Sequence, residues 1–584
     1  MYFSELAETF EKMEKTSSRL ELTDYLVHVL KRSTIQTIDK IIYLIQGKLG
    51  PDYQSKELGV AERVVIKSLA LASGYSVKDI QIKYNKSGDL GDVAYDLLKN
   101  KFQTTLSYEK LTIEKVYETL IKISKVSGAG SIDLKLKYIN SLLNNSTNLE
   151  SKFILKLILG NLRLGIADFT ILDAISISFT GEKKNRKILE RAYNVSSDLG
   201  NIARLLFGGS LNEVESIPIS LFIPVRPMLA ERASDANDAL KKMSGKICYA
   251  EYKIDGERIQ IHKSDKKIEL FTRSLENVTN NFSDIVNEFK KINTKDLIAE
   301  GEIVSIDIQT GKFLPFQSLM HRRRKYKIDE AIKDYPVILN LFDLLFYDNE
   351  DKTNLPFFKR RRILEEIISF ENEKIKLITQ TKVTEIEELD KFMVKAIEEG
   401  CEGLMLKNSE SPYRAGAREW AWIKLKKEYS NKLLDTLDLA IVGAAHGKGR
   451  RVGNYGAFLL AAYEPEEDTF FTICKVGTGF TDEILEEISK RLKQHVIKNK
   501  HPRVNSGELK IDVWFEPKLV IEIFSPEITL SPLYTTSINR IKKGYGLALR
   551  FPKFTGKIRD DKNAEDSTTI TEIENIYKKQ LKSI

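Results

Sequence analysis

Apolar residues recur at intervals of three and four from the N-terminus to about residue 215, most clearly over 116–126, 135–143 and 149–159. That is the period of a helix with one buried face, so the pattern predicts an all-α domain over 1–215. Short glycine-bearing stretches divide its helices: Ser87-Gly88-Asp89-Leu90-Gly91-Asp92, Ser127-Gly128-Ala129-Gly130-Ser131, Gly160-Asn161-Leu162-Arg163-Leu164-Gly165 and Gly208-Gly209-Ser210. Ile217-Pro218, Ile223-Pro224 and Arg226-Pro227 then put three prolines into one short run, which reads as an extended linker. Beyond it the period changes. Strand-like runs at 247–253, 297–306, 337–346, 403–407 and 421–425 alternate with helical ones at 281–292 and 358–368, predicting an α/β domain over 216–430. From 431 to 584 short strands at 439–445, 457–463, 470–476 and 519–524 are separated by glycine, proline and acidic turns, a spacing that fits a small antiparallel barrel of the OB type. No repeat of fixed period interrupts this order.

A chain of 584 residues exceeds what one hydrophobic core organises, in keeping with several domains. The 91 basic and 83 acidic residues leave a net charge of +8, a modest bias that permits a polyanionic partner without requiring one. The N-terminus has no export pattern and no apolar run approaches membrane-spanning length, so a cytoplasmic chain is expected. Cys248, Cys401 and Cys474 stand alone, offering neither a disulfide framework nor a paired-cysteine zinc site. Oxygen ligands would have to hold any metal.

The strongest chemical signal is Glu251-Tyr252-Lys253-Ile254-Asp255-Gly256-Glu257-Arg258. Alternating runs on both sides of Asp255-Gly256 read as a hairpin with Lys253 beside its turn. Alone, this run fits an ordinary surface hairpin as well as a reactive lysine. Further charged groups at predicted strand ends change the balance: Thr272-Arg273-Ser274, Glu300-Gly301-Glu302, Phe342-Asp343, Glu402-Gly403-Leu404-Met405-Leu406-Lys407 and Trp422-Ile423-Lys424-Leu425-Lys426. In the helical part, the glycine-bearing loops would open helix N-termini near Lys125, Lys135 and Lys137, where exposed N–H groups suit phosphates; ordinary helix caps are the alternative. Two basic runs, His321-Arg322-Arg323-Arg324-Lys325 and Lys359-Arg360-Arg361-Arg362, fit either a track for the phosphates of a polyanion or a solvated helix face.

In this order the motifs resemble those of the covalent nucleotidyltransferases, the superfamily of DNA ligases, RNA ligases and capping enzymes. The chain resembles most the ATP-dependent DNA ligases of the archaeal and eukaryotic replicative type, over nearly its full length. The helical N-terminal domain, Pro224-Val225-Arg226-Pro227-Met228-Leu229-Ala230, and Arg550-Phe551-Pro552 followed by Arg559-Asp560-Asp561-Lys562 choose that branch. The resemblance implies a DNA-binding helical domain, an adenylating domain and a mobile OB domain. Lys253 would attack the α-phosphorus of ATP to give a lysine–AMP phosphoramidate, AMP would pass to the 5′-phosphate of a nick, and the 3′-hydroxyl would displace it. At pH 7 a lysine of ordinary pKa is neutral in only about one molecule in 2500, a penalty of roughly 4.6 kcal/mol, so nearby cations, a metal and partial burial are expected to favour the free amine.

By the same resemblance Glu251 would contact adenine and Phe342 would stack on it, although the pattern of Phe342 by itself fits a core residue. Arg258, Arg273 and Arg418 would bind ribose or phosphate oxygens, with Arg414 competing for the place of Arg418. Glu302 and Glu402 would hold Mg2+ or another divalent cation, and Lys424 and Lys426, two apart, would reach the α-phosphate side together. Arg559 and Lys562 would close over pyrophosphate about a hinge at 426–432. The expected partner is nicked double-stranded DNA, bound by a monomer. Gln103-Thr104-Thr105-Leu106-Ser107-Tyr108 loosely resembles a sliding-clamp motif. The rival readings are an RNA ligase or capping-type nucleotidyltransferase, and an inactive DNA-binding scaffold.

Overall fold

A computed structural model describes residues 1–584 apart from 17, 101–108, 234, 244–246, 266, 308–310, 315, 323–327, 369–371, 427–435, 448–453 and 583–584. The chain forms two compact units, one of residues 1–81 and 90–430, the other of residues 82–89 and 431–584. In the first unit, helices from Phe3–Glu14 to Leu211–Glu215 account for the expected all-α region. Their ends follow from local chemistry. Thr147 caps Asn148–Ile158, its hydroxyl accepting from the Glu150 N–H while the Glu150 carboxylate accepts from the Thr147 N–H. Gly130, in a left-handed conformation, opens Ser131–Asn145. Lys135, expected near phosphate, donates instead to the carbonyls of Leu58 (2.9 Å) and Gly59 (3.0 Å).

Eleven strands of the described residues follow in the same unit: β1 (Leu229–Arg232), β2 (Cys248–Lys253), β3 (Glu257–Ser264), β4 (Lys267–Thr272), β5 (Asp296–Ser305), β6 (Val337–Tyr347), β7 (Glu350–Asp351), β8 (Ile375–Leu377), β9 (Gln380–Val383), β10 (Gly403–Asn408) and β11 (Arg418–Lys426). They form two sheets, β1-β11-β10-β2-β9 and β4-β3-β5-β6-β7, with β8 beside β6. One apolar core includes Tyr252, Leu404 and Ile423 from the first sheet with Ile298, Val304 and Leu345 from the second. Another covers the second sheet with the helices Ser283–Phe289 and Phe357–Ile367.

The hairpin expected at Asp255-Gly256 does not form. β2 pairs with β10 and β9, while β3 pairs with β4 and β5, so the dipeptide carries the chain from one sheet to the other. Gly256 lacks the positive φ of a tight hairpin turn and is needed for close approach: a Cβ there would lie 2.3 Å from the Ile303 carbonyl oxygen. The Asp255 carboxylate accepts from the Phe316 N–H (3.2 Å) rather than closing a turn.

The second unit continues with β12 (Leu437–His446), β13 (Tyr455–Glu464), β14 (Thr469–Val476), β15 (Val496–Ile497), β16 (Val504–Asn505), β17 (Val513–Phe515), β18 (Val520–Phe524), β19 (Glu527–Ser531), β20 (Gly546–Arg550) and β21 (Lys553–Ile558). β12, β13 and β14 are neighbouring antiparallel strands, and β18 joins β12 to β21. Their inward residues, Ile441, Leu460, Ile473 and Ile523 among them, share a core with the helices Asp482–Leu492 and Ile570–Lys582. This is the expected OB-type β domain.

The basic runs do not form uniform charged faces. Arg322 is wholly buried, its guanidinium paired with both Asp284 oxygens at 2.9 Å and its Nε donating to the Tyr335 carbonyl. Arg360 is likewise buried, donating to Asp343 Oδ1 (2.7 Å) and Oδ2 (3.0 Å) and to the carbonyls of Leu355 and Ser411. Arg362 remains exposed, and residues 323–325 lie outside the described residues. Removing one member of a buried pair strands the other charge. Arg360→Ala is therefore expected to lower unfolding stability by about 3–5 kcal/mol, against less than about 0.5 kcal/mol for Arg362→Ala, by denaturant unfolding. Equal, small losses would mean that the Arg360 pair carries no structural weight.

Candidate active site

The two sheets of the first unit enclose a cleft of about 620 Å³. Three neighbouring strands of the first sheet supply one wall. Register places Glu251, Met405 and Lys424 on one rung across β2, β10 and β11, and Lys253, Gly403 and Lys426 on another two residues along. Side chains two apart share a face, so Glu251 with Lys253 and Lys424 with Lys426 all project to the same side. Gly403 lies between Lys253 and Lys426 in the second rung. A Cβ there would meet the Leu425 carbonyl oxygen at 2.2 Å, so glycine lets β10 lie close against β11 at this rung. The two ammonium groups converge on Glu402, whose Oε1 accepts from Lys253 and Oε2 from Lys426. The Glu402 N–H donates to the Lys253 carbonyl (2.9 Å), fixing the carboxylate beside the lysine.

Electrostatics divide two of the carboxylates that line the cleft, Glu402 and Glu302. Burial works against ionisation of Glu402, but Lys253 and Lys426 outweigh it and hold the carboxyl below its usual range. Burial pushes Glu302 up to about 7; the charges of Glu402 and Asp255 add to this, while Lys253 and Arg258 oppose it. Lys424 is shifted down by burial and by the neighbouring charges of Arg232, Lys253, Arg418 and Lys426. No group of three or more His, Cys, Asp or Glu side chains that could hold a metal occurs among the described residues. Glu302 and Glu402 are among the carboxylates that line the cleft. Such a pair fits a hard divalent cation whose remaining ligands are phosphate oxygens and water.

Deeper in the cleft, Glu251 is 2% exposed and paired with Lys407, which is 1% exposed, at 2.8 Å. Burial draws Glu251 up and Lys407 down, each toward its neutral form. Glu251 Oε1 is buried without a hydrogen-bond partner, an acceptor facing the place a ligand would fill. Phe342 lines the same region edge-on to Trp422, and the Lys407 ammonium stands 4.5 Å from its ring centre. Arg258 donates to the Met228 carbonyl and to Glu300, both at 2.7 Å.

The structure thus gathers Glu251, Lys253, Arg258, Arg273, Glu302, Phe342, Glu402, Arg418 and Lys424 around one cleft, with Lys426 joined to it through Glu402. Arg414 lines a different depression beside the helix Arg186–Ser196. Arg559 and Lys562 belong to the second unit, where both donate to Asp438. Residues 427–432 of the expected hinge lie outside the described residues, as does Gln103-Thr104-Thr105-Leu106-Ser107-Tyr108. The sequence pattern assigned no role to Lys407 or Glu300. The available signal was a lysine closing the apolar run Leu404-Met405-Leu406, because a cation at the end of a buried strand requires a carboxylate partner.

Family models match three stretches of the chain. They are described as ATP dependent DNA ligase domain (residues 227–426), DNA ligase N terminus (2–176) and ATP dependent DNA ligase C terminal region (451–562). The chain is 50% identical over 583 residues to a "DNA ligase" of Nitrosopumilus maritimus (strain SCM1), covering 100% of this chain and 99% of that one. It is 48% identical over 590 residues to a "DNA ligase 2" of Thermofilum pendens, covering 100% and 98%. A solved structure titled "Pmar-Lig_PreS3" shares the fold, with a TM-score of 0.55 and 18% identity over 95% of this chain and 99% of that one.

The raised pKa of Glu302 has a signed consequence. The folded state disfavours its ionised form, so ionisation costs stability as pH rises from about 4.5, and the whole cost is present above about 7. In metal-free and nucleotide-free buffer, Glu302→Gln should melt close to wild type near pH 5 and gain on it progressively up to about pH 7.5. A difference in melting temperature that is flat across this range would refute the assignment.

Proposed function

The chain belongs to the ATP-dependent DNA ligases, and we propose that the cleft around Lys253 is where it takes AMP from ATP before sealing a nick. It is an enzyme that uses ATP and acts on nicked duplex DNA; a divalent metal and roles in replication and repair are typical of such ligases. The observation that supports this reading best is the convergence of Lys253, Lys426 and Lys424 with Glu402 and Glu302 at adjoining strand ends. In this reading the Lys253 amine attacks the α-phosphorus of ATP and pyrophosphate leaves. Lys424, Lys426, Arg273 and Arg418 compensate negative charge on the phosphate oxygens as the bonds exchange. Glu302 and Glu402 would hold the divalent cation, which supplies charge neutralisation at the phosphates. The orphaned Glu251 oxygen suits an adenine amino group, with Phe342 beside the ring and Arg258 toward the ribose.

The finer assignments belong to the same proposal. Residues 1–215 are taken as the DNA-binding domain, 216–430 as the adenylating domain and 431–584 as the OB domain. Arg559 and Lys562 would approach pyrophosphate in the first step and withdraw afterwards. A monomer acting on chromosomal DNA in the cytoplasm, with a sliding-clamp contact at Gln103 to Tyr108, completes the reading.

Incubating the protein with magnesium and ATP labelled at the α-phosphate, then denaturing it, should give acid-labile label on wild type and background on Lys253→Ala. Equal labelling of the two would end the assignment of Lys253 as nucleophile. Lys562→Ala should slow self-adenylation more than sealing of an already adenylated nick, as single-turnover assays of each step would measure. Equal slowing of both steps would rule out a role confined to the first.

A further inference from the structure

Three alternate side chains of β3 leave the cleft in a row and end on the linker. Arg258, Gln260 and His262 are two residues apart and project from one face of the strand. Arg258 donates to the Met228 carbonyl (2.7 Å), and His262 Nδ1 accepts from the Phe222 N–H (2.9 Å). Between them Gln260 makes a paired contact with Val225: its Oε1 accepts from the Val225 N–H (2.7 Å) and its Nε2 donates to the Val225 carbonyl (3.1 Å).

The roles interlock. The Val225 N–H can meet only the amide oxygen, so Nε2 faces both the Val225 carbonyl and Glu300 Oε1 (3.3 Å). Gln260 Oε1 also accepts from His262 Nε2 (2.9 Å), which leaves His262 Nδ1 as the acceptor that Phe222 requires. Burial, with the charge of Lys267, pushes His262 down to about 3, so the ring stays neutral as this pattern demands. Every donor and acceptor of the Gln260 amide is therefore used, in a residue only 4% exposed. Glu300 accepts from Gln260 on one oxygen and from Arg258 (2.7 Å) on the other.

The opposite side of the linker is held by the helical region. Ser197 Oγ donates to the Pro224 carbonyl (2.6 Å), the Arg226 N–H donates to the Asn194 carbonyl (2.8 Å), and the Arg226 guanidinium lies over the Tyr193 ring. The proline-rich run is thus a clamped strip rather than a free tether. Its next residues, Leu229 and Ala230, line the cleft, whereas Gln260 does not.

We propose that Gln260 is a positioning residue for self-adenylation, holding both the Arg258 guanidinium, through Glu300, and the linker strip that borders the nucleotide cleft. This rests on the cleft being the ATP site. Gln260 touches no nucleotide, so its loss should act on ATP binding through misplaced Arg258 and Leu229. A side chain that served folding alone would lower stability and leave the apparent affinity of the folded fraction unchanged.

The test uses the full-length enzyme, below its thermal transition, with α-labelled ATP titrated in the self-adenylation assay. Gln260→Met keeps the length and removes the amide. Its KM for ATP should rise about tenfold while kcat stays within about threefold, the size expected for one misdirected charge-assisted contact. Gln260→Glu guards against a folding failure of the first variant. It keeps the acceptor for the Val225 N–H but removes the donor that meets the Val225 carbonyl and Glu300. Its KM for ATP should likewise rise while its kcat stays within about threefold. An unchanged KM in either folded variant would overturn the proposal. Wild type that failed to label at all would instead sink the reading of the cleft, and Lys253→Ala run alongside keeps the two failures apart.

Discussion

One carboxylate shared by two ammonium groups is the interaction on which the wall of the cleft depends. Glu402 sits at the junction of β2, β10 and β11, accepting from Lys253 on one oxygen and from Lys426 on the other. Without it, two like charges on the strands flanking β10 would repel across a side-chain-free glycine. With it, the Lys253 amine is held at a defined place in a cleft that Arg258, Arg273, Arg418 and Lys424 also line. That amine is thus kept beside a carboxylate with two claimants. A ligand that draws on Glu402 changes the surroundings of Lys253 directly.

The second constraint is the change of sheet between Lys253 and Arg258. Three residues, 254–256, carry the chain from the first sheet to the second, so the lysine and the arginine of one short motif face the same cleft from opposite walls. Gly256 permits the crossing because a side chain would collide with the Ile303 carbonyl. Ion pairs in the cleft wall and behind it carry the packing: Arg258 with Glu300 and Lys407 with Glu251 at the wall, and Arg360 with Asp343 in the interior. Such pairs are costly to form and costlier to break, which suits side chains that must hold one orientation.

Much of the cleft's lining was legible in the sequence, through the order of its motifs. Lys253, Glu302, Glu402, Lys424 and Lys426 stood out because that order resembles a known family; by itself the Lys253 run fits a surface hairpin as well, and a lone glutamate fits a surface charge. The basic runs were read less well. Arg322 and Arg360 stand among exposed cations in sequence, yet each is buried against an aspartate far along the chain, and composition cannot pair residues 38 and 17 positions apart. Lys407 stands in a recognised strand-end motif yet received no role for the same reason, since its partner Glu251 lies on another strand.

Local periodicity was enough to determine the helical, α/β and strand-rich regions, because burial of one face imposes a period of 3.6 or 2 on any stable element. It also determined which residues could share a face, as with Lys424 and Lys426. Tertiary structure alone decided that Asp255-Gly256 crosses between sheets instead of turning back, and that the proline-rich run is gripped by Gln260 and His262. Both outcomes depend on hydrogen bonds between segments distant in sequence, and a linear pattern holds no record of the partner's position.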